Sequence, residues 1–158
     1  MALVKGTNAY VNVAEAEAYF ANRLDVAAWT EAPDAQKEQA LVTATAMLDE
    51  LDWTGRVVGE SQALAFPRVG CYYDPRLGFE TVLPDSVPDR VVVATYELAY
   101  HLLNNDGLLD DSGVVDTLSL GSINLGKIRA PNKIPSAVRN KIKPLLLNGG
   151  QNLWWRAN

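Results

Sequence analysis

Apolar positions recur at helical spacing in four stretches of the chain, and the pattern alternates or breaks down between them. Ala16, Tyr19, Phe20 and Leu24 share one face of a helix that starts after Asn12 and runs to about Leu24. Asn12 is a good N-cap, Glu15 completes a capping box, and Val11 and Ala16 take the staple positions. Ala27, Ala28 and Trp29 make a short connector before Ala32-Pro33-Asp34, which opens a second helix from about Asp34 to Leu51. Leu41, Ala44, Leu48 and Leu51 line one side of it, with Gln39, Thr43 and Glu50 opposite. Pro88, at a first-turn position, begins a third helix from Asp89 to Asn104. Val92, Val93, Tyr96, Leu98, Ala99, Leu102 and Leu103 make it apolar over most of its girth, so it is expected at the centre of the core. Pro135 opens a fourth helix to about Leu147, with Val138, Ile142, Leu145 and Leu146 inward and Arg139, Lys141 and Lys143 outward. Pro144 should kink this helix or end it early.

Between the second and third helices, residues 54–88 are interrupted by Gly55, Gly59, Pro67, Gly70, Pro75, Gly78, Pro84 and Pro88. Short extended pieces are predicted at Arg56–Val58, Ala63–Phe66 and Glu80–Leu83. A long irregular stretch in a compact domain is more often functional than idle. Val114 to Ile128 alternates and predicts one or two strands with a turn near Gly121-Ser122. The expected fold is mainly α: a small bundle of about four helices with a long irregular loop, a short β-hairpin and an extended C-terminal tail. Residues 1–150 form one domain in this reading, and 151–158 a docking tail.

Composition adds little until charge is located. With 158 residues, 48% hydrophobic and 21% charged, the chain suits one soluble globular domain that needs no staples. Cys71 is alone, so no internal disulfide framework exists. No apolar run approaches the roughly 18 residues of a membrane span, and Met1–Tyr10 shows no signal-peptide pattern. A soluble protein assembled inside a cell is expected. The net charge of -5 divides unevenly: 7 basic against 19 acidic residues up to Asp116 give -12, and the rest of the chain gives +7. That second part holds Lys127, Arg129, Lys133, Arg139, Lys141, Lys143 and Arg156 and no acid. Such asymmetry points to nucleic acid or to an acidic partner, which includes another copy of the chain.

Catalytic and cofactor motifs are weak. Gly121 to Lys127 has the spacing of a phosphate loop, but Ile128 replaces the magnesium-binding hydroxyl and Arg129-Ala130-Pro131 cannot start the required helix; a β-turn explains it better. His101 is the single histidine and lies in the apolar third helix, so a zinc ligand set is missing and no Cys–His nucleophile signature surrounds Cys71. A calcium loop with Gly107 at its sixth position would begin at Leu102, which is no ligand. No enzyme activity, metal or cofactor is expected. Trp154 and Trp155 are the exception to blandness, since each offers roughly 150–250 Å² that is costly to leave in water. They could stack on bases, but the acidic first part would repel a phosphate backbone, and a protein-docking tail is favoured.

Gly6-Thr7-Asn8-Ala9-Tyr10-Val11-Asn12-Val13-Ala14-Glu15-Ala16-Glu17-Ala18-Tyr19-Phe20 resembles the opening of a tailed-bacteriophage family whose members are described as head–tail connector (adaptor) proteins or as DnaT-like single-stranded-DNA-binding proteins. The resemblance continues through Trp29, Leu48–Gly55, Ala63–Arg68, Leu83–Pro88, the third helix, Ile123–Lys127 and Ile134-Pro135, and stops before Trp154-Trp155. It implies a helical subunit that forms a ring, twelve copies being the expected number, in the virion neck between portal and tail, assembled in the host cytoplasm. The ring would extend the DNA channel, let genomic DNA pass without specific binding, and dock a head-closure or tail protein. On this view Leu153, Trp154, Trp155 and Arg156 contact the portal. The basic residues from Lys127 to Lys143 face a neighbouring subunit or partner. Arg56, Arg68, Tyr72, Tyr73, Asp74 and Arg76 belong to a channel-facing or tail-facing loop. The alternative is a single-stranded-DNA-binding protein.

Overall fold

The structure is a computed structural model, and it describes residues 2–104, 117–120, 123–126 and 134–147. In chain order the elements are α1 (Val13–Phe20), α2 (Ala27–Thr30), α3 (Asp34–Asp49), β1 (Arg56–Val57), β2 (Arg68–Val69), β3 (Cys71–Asp74) and β4 (Phe79–Val82). There follow α4 (Asp89–Asn104), β5 (Thr117–Leu120), β6 (Ile123–Gly126), α5 (Ser136–Ile142) and a 3-10 turn at Lys143–Leu145. The fold is mainly α, and among the described residues there are three two-stranded antiparallel ladders, β1–β2, β3–β4 and β5–β6.

Helix α4 is the central element. It packs against α2, α3 and α5, and Val91, Ala94, Thr95, Tyr96, Leu98, Ala99 and Leu102 are buried along it. Its bounds match the expected Asp89–Asn104. The Thr95 hydroxyl donates to the Val91 carbonyl at 2.9 Å, and the Thr45 hydroxyl donates to Leu41 O at 2.9 Å. These internal bonds allow the two buried hydroxyls to lie in the core without being left unpaired. An aromatic cluster of Tyr19, Phe20, Trp29, Tyr96 and Tyr100 closes the α1 end, with Tyr19 stacked on Tyr96 at 4.8 Å.

The α1 cap forms as its sequence dictates: Glu15 N donates to Asn12 Oδ1 at 2.8 Å and Asn12 N donates to Glu15 Oε2 at 3.0 Å. Val11 and Ala16 are buried. The helix ends at Phe20 rather than Leu24, however, and Leu24 is 94% exposed. The chain turns through Asp25 at φ +57°, and the Asp25 carbonyl accepts Tyr100 Oη at 2.7 Å, so Leu24 is carried away from the apolar face. Pro144 acts as expected: α5 stops at Ile142 and a 3-10 turn follows.

Residues 54–88 are more ordered than their punctuation suggests. Arg56 pairs with Val69 and Val57 with Arg68, while β3 and β4 pair from Cys71↔Val82 to Asp74↔Phe79. The β4 prediction holds within a residue. The expected extended piece at Ala63–Phe66 is not a strand: Leu64 and Phe66 are buried and Ala65 N donates to the Asp49 carboxylate at 3.3 Å. The segment is drawn inward by its own apolar side chains instead of joining a ladder. The expected hairpin within 114–128 is present as β5–β6, from Thr117↔Gly126 to Leu120↔Ile123.

Candidate docking surface

The hairpins and the chain after α5 meet along one edge of the helical body. Leu147 N donates to Asp52 O and Thr54 N to Leu145 O, both at 2.9 Å, so the end of the 3-10 turn runs antiparallel to the segment entering β1. Gly55 follows at φ +73°, a conformation glycine adopts without strain. A Cβ there would lie 2.5 Å from Val69 O, which fixes the residue for a second reason.

Arg68 locks this corner. Its guanidinium donates to Thr54 O at 2.8 Å and Gly55 O at 2.6 Å, and more weakly to Trp53 O and Ala65 O. A planar fork reaching several carbonyls is something an ammonium cannot reproduce. Asp74 has a comparable duty at the far end of β3. Its side chain is 1% exposed, and its oxygens accept Arg76 N at 2.9 Å, Arg76 Nη2 at 2.7 Å and Arg90 Nη2 at 3.2 Å. Arg76, through its side chain and its backbone N–H, holds the Asp74 carboxyl far below the usual carboxylate range, with Arg90 adding to it. Two of the six residues expected on an outward loop, Arg68 and Asp74, are thus turned to holding the loop in shape.

The other four lie at the surface: Arg56, Tyr73 and Arg76 are exposed and Tyr72 is half-buried. Tyr72 and Tyr73 join Lys143 in a groove of about 610 Å³ between β3 and the turn after α5. Thr54, Cys71, Pro75, Glu80, Pro144, Leu146 and Leu147 complete its lining. Two of the lining residues, Tyr73 (55% exposed) and Leu147 (62%), are apolar side chains left open to water, and Phe79 (58%) and Val82 (70%) are exposed on the neighbouring strand β4. A groove whose lining leaves apolar side chains open to water is a candidate interaction surface. Periodicity does not single out Phe79 and Val82, because a four-residue strand is too short to show an alternation above background.

On α5, Arg139 is exposed and Lys143 follows in the 3-10 turn, also exposed, while Lys141 is half-buried with its Nζ 3.6 Å from Glu97. Glu97 also accepts from Arg23 and from Tyr19 Oη, the latter at 2.6 Å. Burial works against its charge, but Arg23, Tyr19 and Lys141 outweigh that and hold its pKa below the usual range. Lys141 therefore ties α5 to α4. Lys127, Arg129, Lys133, Leu153, Trp154, Trp155 and Arg156 lie outside the described residues.

Six of the seven basic residues of the acidic part are already committed, Arg56 being exposed. Of its seven, Lys5, Arg23, Lys37, Arg76 and Arg90 are ion-paired, and Arg68 is bonded to backbone carbonyls. Lys37 is held 2.6 Å from Glu17 and also lies over the Trp29 ring. Among the described residues no group of His, Cys, Asp and Glu could hold a metal ion, and no helix is long and apolar enough to cross a membrane.

A small, mainly helical domain with a loop-borne apolar edge and segregated charge is the class these features define. A family model described as "Putative DnaT-like ssDNA binding protein" matches residues 2–156, and the chain belongs to that family. No curated protein and no solved structure matches it.

Proposed function

We propose that the chain is an assembly subunit of a tailed-bacteriophage virion: a head-to-tail adaptor that forms a ring under the portal. The ring, with twelve copies expected, extends the DNA channel and docks the next head-closure or tail protein. The observation that carries this reading is the distribution of charge. Five of the seven cations in the acidic part are held in internal ion pairs and Arg68 is bonded to backbone carbonyls, while Arg139 and Lys143 stand exposed on an acid-free segment. A surface built that way repels a passing phosphate backbone but complements a second copy of itself, and a closed ring needs two unlike faces on each subunit. Leu153, Trp154, Trp155 and Arg156 anchor the subunit to the portal in this scheme.

The test is direct. Purified protein mixed with portal-bearing capsids and imaged in negative stain should add a ring of density at one vertex. Trp154→Ala/Trp155→Ala should leave the fold intact and abolish that density; undiminished attachment would remove the tail from the portal contact.

A second reading, single-stranded DNA binding, is supported by the family match and by the same exposed Arg139 and Lys143. It predicts affinity for a thymidine oligonucleotide that falls steeply with salt, with a log–log slope of about -0.7 per phosphate contacted. Arg139→Glu/Lys143→Glu, which spares the Lys141–Glu97 pair, should then weaken binding strongly. If the unaltered protein binds no oligonucleotide even at low salt, this reading fails.

A further inference from the structure

We infer that the groove between β3 and the turn after α5 is the seat of the chain's own C-terminal residues Leu153–Arg156 in the free subunit. The groove is about 610 Å³, within the roughly 300–1,000 Å³ range that buries a drug-sized ligand, and so has room for an indole. Its walls are aromatic and apolar at Tyr72, Tyr73, Pro75, Pro144 and Leu147, the surfaces against which tryptophan packs. Glu80, opposite Tyr73 in the ladder, places a carboxylate at the rim where Arg156, one residue beyond Trp155, finds its counter-charge.

The occupant is fixed by where the described chain ends. Leu147 itself lines the groove. Trp154 is seven steps along the chain from Leu147, a span of roughly 23–25 Å if fully extended, which allows the chain to return across a groove that starts at Leu147. At Leu145–Leu147 the chain runs antiparallel to Asp52–Thr54. Gly149-Gly150 follows at once, the residues that reverse a backbone most readily. Tethering favours cis over trans: a short connection between two sites sets an effective concentration on the order of millimolar, so a seat with Kd of about 0.1 mM is filled roughly ten times as often as it is empty. A free second copy at micromolar concentration cannot compete. The inference concerns the unassembled protein and holds for either partner considered above. Its consequence is that the tryptophans are covered until a partner displaces them.

Cys71 lines the groove, is exposed, and is the sole cysteine of the chain, so it reports on occupancy. Iodoacetamide alkylation of the full-length native protein, followed by mass spectrometry, should run about tenfold slower for wild type than for Trp154→Ala/Trp155→Ala. That ratio should be the same at 1 and 50 micromolar protein, with circular dichroism confirming that both chains are folded. The single variants Trp154→Ala and Trp155→Ala should fall between. Equal rates in wild type and double variant would overturn the inference. Protection that vanishes on dilution would overturn it as well, since the seat would then belong to a second copy's tail. Neither result bears on whether the protein attaches to portals, which is read separately by imaging.

Discussion

Asp74 shows how one side chain can be misplaced by sequence and explained by structure. In a Cys-Tyr-Tyr-Asp run bounded by glycine and proline, an aspartate reads as loop surface; here it is buried between two guanidiniums on separate elements, Arg76 beyond β3 and Arg90 in α4. No spacing rule connects positions 74 and 90, so the partnership was not legible. The pH consequence follows from the depressed pKa. The unfolded chain takes up the proton first as pH falls, so the stability Asp74 contributes is complete above the ordinary carboxylate pKa of about 3.9 and is lost as pH drops toward the lower folded value. Asp74→Asn should lower the melting temperature at neutral pH. It should also flatten the fall in melting temperature between about pH 5 and pH 3 relative to wild type, measured by thermal circular dichroism. A parallel fall in both proteins would show that the pair contributes nothing. Tyr10 and Asp49 make a second such contact, with the Tyr10 hydroxyl donating to a carboxyl whose pKa burial raises. Tyr10→Phe leaves that carboxyl with the Ala65 N–H as its remaining described partner. The loss should be about 1–3 kcal/mol in urea denaturation.

At the scale of elements, legibility tracked length and local chemistry. The capping box at Asn12 and Glu15 was readable because all its atoms lie within four residues, and both of its bonds form. Helices α3 and α4 were readable because sixteen residues give several turns of a period. Leu24 was misread because the turn at Asp25 depends on Tyr100, distant in sequence. Residues 54–88 looked irregular because their order comes from Arg68 and from Gly55, not from a hydrophobic repeat. That makes a sharp prediction. Arg68→Lys keeps the charge but cannot span Thr54 O and Gly55 O together, so it should destabilise the protein by about 1–3 kcal/mol, and hydrogen exchange should rise first at the backbone amides of 54–57 and 68–69. Uniform loss of protection across the α4 amides instead would mean that the corner has no local role.

For the whole molecule, the two functional readings differ in the sign of one effect. Salt alone does not separate them, since screening weakens both protein–DNA contacts and contacts between acidic and basic faces. Removing acid does. Glu31, Glu60 and Asp85 are exposed and sit on α2's exit, the β1–β2 loop and the approach to α4, spread over the acidic part of the chain. Their replacement by Gln, Gln and Asn shifts the formal net charge from -5 to -2 without touching a buried contact. If acidic and basic faces of neighbouring copies attract, the triple variant loses a share of that attraction. Its assembly on portal-bearing capsids should then require severalfold more protein. If the chain instead acts on single-stranded DNA, the same change removes repulsion from the phosphates, and oligonucleotide affinity should rise severalfold at low salt. One set of substitutions therefore weakens one activity and strengthens the other. Assembly that needs no more of the variant than of wild type would break the link between the charge division and ring formation, because the acidic part would have no partner to answer the acid-free segment.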